Sequence, residues 1–222
     1  SGDAHRECFS PPLFFLAPGF PAEPEESLLQ RAVAVLHGSY LDSTSREGFQ
    51  YSRAILVENE AFLSELRAFA RAKEAAGYSR EELQETFGFL LFDKEEEAKE
   101  VCRTGLHVNS SSISTLGDPA KGVYISKHAD CLHPRAWHHG ESGYIVICKL
   151  IKGKVRVIPE DYSTTYTCPS PGYDCHVAES RDPAAAPPGP CQAFEQSQYY
   201  VYEVCGGSPA QRPRQVCPYI IV

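Results

Sequence analysis

Apolar positions along the first half of the chain recur at helical spacing. Between Ser27 and His37, Leu28, Ala32 and Leu36 repeat every four residues with Leu29 and Val33 beside them, and Gly38 follows. This predicts a helix with one buried stripe and a glycine stop. A second helix is predicted over Glu60–Ala76, with Phe62, Leu66, Phe69 and Ala70 on one face and Gly77 as its end. Ser79 and Glu82 have capping-box spacing, which predicts a short third helix through Leu83 and Phe87. Phe89–Phe92 is an apolar run between Gly88 and Asp93, as a buried strand requires. Asp93 is then expected to cap a helix over Lys94–Thr104, with Glu95, Glu96 and Glu97 in its first turn, where the helix dipole favours acids, and Gly105 closing it.

Beyond Gly105 the period shifts towards two. Val123–Ser126, Tyr144–Ile151 and Lys154–Ile158 read as strands, the last two joined at a Lys152-Gly153 hairpin. Residues 159–193 are rich in Pro, Ser, Gly and Cys and read as one long loop, too long for a simple connector. Tyr199–Val204 and Tyr219–Val222 read as two closing strands across Gly206-Gly207. The fold class is α+β, with a mixed or antiparallel sheet and mostly N-terminal helices. Residues 1–26, interrupted by Pro11, Pro12 and Pro18, are expected to form an extended arm, and residues 27–222 one domain.

Composition narrows the class of function. The 222 residues are 42% hydrophobic and 23% charged, with a formal net charge of −8, which excludes wholesale disorder and a globally basic nucleic-acid binder. The acidic excess falls in residues 21–100, and the remainder is near neutral. A solvated helix face is the plain reading of that excess; docking to a basic partner is the functional one. No stretch approaches the ~18 uninterrupted apolar residues of a membrane span. The nine cysteines are odd in number and contain no Cys-x-x-Cys pair, so free thiols in a reducing compartment are expected. The lack of methionine, with a Ser1-Gly2 start, reads as a piece of a larger protein.

Three segments carry a family resemblance. The run Thr104-Gly105-Leu106-His107-Val108, a polar loop, and then Gly122-Val123-Tyr124-Ile125-Ser126 resembles the core of a poly-ADP-ribose-polymerase-type catalytic domain. Gln198-Tyr199-Tyr200-Val201-Tyr202-Glu203 resembles that family's last strand, and Gly172–Val177 falls where the family places a short glycine-containing turn. Longer stretches resemble the pseudo-PARP domain of the transgene activation suppressor (TASOR) family. They are Val57–Glu60, Gly117–Tyr124, Asp174–Val177 and Arg212–Tyr219, and the resemblance spans about Ser27 to Val222.

The resemblance implies an NAD site built from a His, a Tyr and a Glu around an oxocarbenium-like centre. Here Tyr124 matches the Tyr, and Gln198 stands at the Glu position. An amide cannot act as a base or offset positive charge. The strand that should carry His-Gly reads Gly88–Phe92, and no His occurs between His37 and His107. The second nicotinamide-stacking Tyr is replaced near Cys131 or Leu132. The resemblance thus implies a catalytically inactive domain with no NAD cofactor and no metal, whose degenerate site is marked by Gly122, Tyr124, Ser126 and Gln198. It also implies a nuclear scaffold in silencing of transgenes or transposons. Its partners in such a HUSH-like assembly would be chromodomain and periphilin-type proteins. The alternatives are an active mono-ADP-ribosyltransferase with an atypical site, or an RNA- or protein-contact module.

Other clusters carry less. Lys149, Lys152, Lys154 and Arg156 could contact RNA or phosphate, or simply protect an edge strand. Cys131, His133, His138 and His139 gather metal-type donors, but not at a recognised zinc spacing. Trp137 reads as a packing anchor or a partner hot spot. Cys175 and His176 should point to opposite faces of a strand and so not form a catalytic pair.

Overall fold

A computed structural model describes residues 25–57, 59–134, 142–159, 168–180 and 189–222. Helix α1 spans Glu25–Gly38, so it begins within the last two residues assigned to the arm, the rest of which lies outside the described residues. Strand β1 (Ile55–Leu56) precedes α2 (Glu60–Ala75). The Asn59 side chain caps α2 by accepting from the Phe62 N–H at 3.2 Å, and Phe62, Leu66 and Phe69 form its buried face.

Strand β2 covers Glu85–Phe92, α3 Glu95–Thr104, β3 Val123–Ser126, β4 Tyr144–Ile151 and β5 Val155–Ile158. Then come β6 (Cys175–Ala178), α4 (Pro190–Gln196), β7 (Gln198–Val201), β8 (Val204–Cys205), β9 (Ser208–Pro209) and β10 (Val216–Ile221). Eight strands form one sheet in the order β1-β10-β4-β2-β3-β7-β6-β5. Every pairing is antiparallel except β5 with β6, and the fold is mixed α+β as expected.

The sheet divides between β2 and β3. β2 matches β4 along its whole length, from Glu85↔Ile151 to Phe92↔Tyr144, but meets β3 only at Phe89↔Ser126. The two halves therefore diverge on either side of one contact. Val146, Cys148 and Leu150 of one half share a core with Val123, Ile125, Cys175 and Val201 of the other, beneath Ala98 and Cys102 of α3. Alternate residues Ile145 and Ile147 face the opposite way, towards Ala32 and Leu36 of α1.

Several local expectations are corrected. The Ser79–Glu82 capping box forms, with the Ser79 N–H donating to Glu82 Oε2 and the Glu82 N–H to Ser79 Oγ, but it encloses a single turn. Phe87 already belongs to β2, because strand pairing overrides the local helical signal. The N-cap of α3 is Lys94, without a side-chain cap bond, rather than Asp93. Lys152-Gly153 is not a hairpin. β4 pairs with β2 and β10, while β5 lies at the far edge beside β6. Gly153 takes φ +70°, and a Cβ there would stand 2.5 Å from Asp174 Oδ2, so glycine is required at this crossing. Gly206-Gly207 turns the separate β8–β9 pair, and the two closing strands, β7 and β10, lie in different halves of the main sheet. The segment 159–193 is not all loop: it contains β6, hydrogen-bonded between β5 and β7, and the start of α4.

Candidate functional site

Where β2 and β3 part, a cleft of about 200 Å³ opens, lined by Phe89–Phe92 on one side and by Tyr124, Ser126 and Gln198 on the other. The β3–β7 register sets Ser126 opposite Gln198 and Tyr124 opposite Tyr200. Three of the four marker residues therefore converge. The volume is below the ~300–1,000 Å³ of ordinary small-molecule pockets.

The three marker side chains in the cleft each bond to the surrounding backbone. Tyr124 is 4% exposed. Its hydroxyl donates to the Gly117 carbonyl at 2.6 Å and accepts from the Leu116 N–H at 3.1 Å. Burial pushes the phenol up to about 12, so it stays neutral. Gln198 is 3% exposed, and its Nε2 donates to the Phe194 carbonyl of α4 at 3.1 Å. Ser126 Oγ donates to the carbonyls of His128 and Cys131 at 3.0 and 3.3 Å. The rest of the lining is mostly apolar, with Ser110 and Ser111 beside it: Phe89–Phe92 form the strand wall, Leu132 lines the cleft in the region expected of the second Tyr, and Ile113 and Phe194 contribute further apolar surface. Among the described residues no carboxylate or imidazole lines the cleft.

The fourth marker, Gly122, lies elsewhere. A Cβ at Gly122 would stand 2.6 Å from Cε2 and Cζ of Tyr200, and one at Gly117 would also run into that ring. Tyr200 is fully buried, and its hydroxyl donates to the Asp118 carbonyl at 2.8 Å. Gly117 and Gly122 are small because the turn between them folds over this tyrosine. Ile113 and Leu116, the residues that bring the turn onto Tyr124, were missed in the sequence. The signal was there, since they are isolated apolar residues in a run of Ser and Thr.

A buried imidazole on β6 belongs to a separate network. His176 is 0% exposed, its Nδ1 is 2.7 Å from the Leu116 carbonyl and its Nε2 is 2.8 Å from Ser170 Oγ. A carbonyl can only accept, so Nδ1 carries the proton and Nε2 accepts from the serine. Burial holds the imidazole below its ordinary value, and the Arg156 charge pushes the same way. The Cys175 side chain joins the core between the sheet halves, so the two neighbours do diverge, as strand geometry demanded.

The basic cluster does not form one surface. Lys149 is 1% exposed and lies 3.5 Å from Glu85 and 4.6 Å over the Tyr219 ring, which removes it from any nucleic-acid face. β4 lies between β2 and β10, and all its residues after Tyr144 are buried. Lys152 lies over Tyr199 and Lys154 over Tyr78, and Arg156 donates to Ser170 Oγ at 3.0 Å. His138, His139 and Trp137 lie outside the described residues, and among those described no group of His, Cys, Asp or Glu could hold a metal. The described cysteines, 102, 131, 148, 168, 175, 191, 205 and 217, are all free thiols. No helix among the described residues is long and apolar enough to cross a membrane.

The comparisons with known proteins agree with this geometry. A family model described as "Protein of unknown function (DUF3715)" matches residues 72–218. The chain is 35% identical to Protein TASOR of Homo sapiens over 211 residues, 91% of this chain, and 36% identical to Protein TASOR of Xenopus laevis over 202 residues, 87% of this chain. It spans only 12% and 13% of the length of these relatives. A crystal structure of the TASOR pseudo-PARP domain superposes with a TM-score of 0.79 at 36% identity, covering 93% of this chain and 94% of that one. The chain belongs to the DUF3715 family and shares the fold of the TASOR pseudo-PARP domain.

Proposed function

We propose that this domain is a catalytically inactive ADP-ribosyltransferase-like module, serving as part of a nuclear scaffold protein in transcriptional silencing of transgenes or transposons. The observation that supports inactivity is the state of the cleft. Tyr124 spends its hydroxyl on the 116–117 backbone, Gln198 spends its amide N–H on Phe194, and Phe89–Phe92 occupy the wall where the resemblance calls for a His. An oxocarbenium-like centre formed there would meet no negative charge from the residues known to line the cleft, and a nucleotide ribose no imidazole. The degenerate site therefore holds neither NAD nor a metal as cofactor.

The silencing role, the nuclear location and the chromodomain and periphilin-type partners are proposed from the resemblance to the TASOR family and concern the full-length protein. The test of inactivity is direct. Labelled NAD should give no transfer or hydrolysis, and calorimetric titration of NAD should give no heat beyond dilution. Saturable NAD binding that disappears in Tyr124→Ala would instead support the second reading, an atypical mono-ADP-ribosyltransferase.

A further inference from the structure

Outside the cleft, two cations share one aromatic ring. Lys127 Nζ and Lys152 Nζ each lie 5.6 Å from the centroid of Tyr199. They come from the two halves of the divided sheet: Lys127 follows β3, and Lys152 follows β4 at the end where Ile151 pairs with Glu85. The cleft is lined by Phe89–Phe92 together with Ser126 and Gln198, the residues just before Lys127 and Tyr199, whereas none of Lys127, Lys152 and Tyr199 lines it. Tyr199 itself is half-buried against the core between the halves.

Neither amine meets a carboxylate among the described residues. Three other partly buried cations do meet carboxylates: Lys73 meets Asp174 at 2.6 Å, Arg212 meets Glu65 at 2.7 Å and Arg214 meets Glu203 at 2.6 Å. Lys127 and Lys152 have only the phenol quadrupole, which offsets part of one ammonium's desolvation. Both charges reach the buried Cys175 thiol, lowering its pKa against the larger effect of burial, which places them around one point. Burial pushes the Lys127 ammonium below the ordinary lysine value, and the Lys152 charge adds to the depression. Two like charges on one half-buried ring repel, as the effect of the Lys152 charge on Lys127 indicates, and an anion that both reach removes that cost. Lysine stems are flexible enough for both amines to close on one compact anion.

We propose that Lys127 and Lys152, seated on the half-buried ring of Tyr199, form a binding site for a phosphate monoester carried by a phosphorylated protein segment. The anion is compact because the positive charge is local. Lys149 is buried, Lys154 lies over Tyr78 and Arg156 is tied to Ser170, so among the described residues this basic string gives no continuous track for a nucleic-acid backbone leading from the pair. The lysines also occupy the ring that a nucleobase would need for stacking. The site is independent of whether the cleft uses NAD.

The test is an NMR titration of the domain with inorganic phosphate and with a capped Ala-phosphoserine-Ala peptide. Saturable shifts are expected at residues 127, 152 and 199 with both probes, and none with the unphosphorylated peptide. Lys127→Gln and Lys152→Gln should each weaken phosphopeptide binding at least fivefold, while Lys127→Arg, which keeps the charge, should retain it. Lys94→Gln, at the N-cap of α3, should change nothing. An unchanged melting temperature in each variant separates lost binding from lost fold. No saturable shift with either phosphate probe overturns the site, as does equal binding in both Gln variants. Tighter, equally lysine-dependent binding of a single-stranded RNA oligomer overturns the phosphoprotein assignment in favour of nucleic acid.

Discussion

The Tyr124 hydroxyl and the Gly117 carbonyl, 2.6 Å apart, pin the loop before β3 onto the strand that would otherwise present its tyrosine to a ligand. The same hydroxyl takes the Leu116 N–H. Tyr124→Phe strands both backbone groups in a buried setting, which costs about 1–3 kcal/mol. The urea midpoint should fall accordingly, while NAD titration of the variant stays as flat as that of the parent. Unchanged stability would mean that the hydroxyl is free for a ligand.

Gly122 is a packing residue. In Gly122→Ala the added methyl meets the Tyr200 ring, which is fully buried and tethered to the Asp118 carbonyl, so neither partner can withdraw cheaply. Overpacking of this kind costs about 1–3 kcal/mol. In a Tyr200→Leu background the same substitution should cost markedly less, and a double-mutant cycle in denaturant measures the coupling. Additive effects would refute the contact.

Asp174 joins three elements. Its carboxylate meets Lys73 of α2 at 2.6 Å, the Tyr78 hydroxyl at 2.7 Å and the Lys154 N–H before β5 at 2.9 Å, with its side chain only 6% exposed. Removing one partner of such a pair is expensive because the other charge loses its compensation. Asp174→Asn should cost about 3 kcal/mol, at the low end of the range because Lys73 keeps some solvent access. Thermal denaturation of the variant checks the value.

His176 makes stability depend on pH. Its folded value lies below the 6.5 of an unperturbed imidazole, chiefly through burial, so the unfolded chain takes up the proton first. The contribution is fully present above about pH 6.5 and is lost as pH falls from there through the folded value. Denaturation midpoints should therefore decline from pH 7 towards pH 5. His176→Gln should flatten that slope, and the His176 ring resonance should titrate below 6.5.

Much of the fold was legible because hydrophobic period is a local property. The stripe Phe62-Leu66-Phe69 located α2, and the runs at Val123 and Tyr144 gave β3 and β4 at their observed limits. The motif around Tyr124 and the Gln at 198 were visible for the same reason: each is a short contiguous string. Strand partnership is not local. Lys152-Gly153 has the composition of a hairpin, yet β5 is carried to the far edge because β6 and β7 supply its backbone partner and the core for Ile158. Lys149 belongs to a basic string in the sequence, but its side chain is buried beside Glu85 and the Tyr219 ring, brought there by the neighbouring strands β2 and β10.

The sequence by itself determined that Tyr124 and Gln198 stand in these strands and that no His occurs in Gly88–Phe92, because identity at a position needs no coordinates. Only the tertiary structure decided what the remaining residues do. It turned Tyr124 and Gln198 inward onto backbone carbonyls, made Gly122 a seat for Tyr200, and set Lys127 and Lys152 together on Tyr199. Those relationships depend on a sheet whose halves meet at one residue pair, Phe89 with Ser126, and diverge on either side of it. No pattern along a single strand encodes that divergence, because it arises from how the separate halves pack.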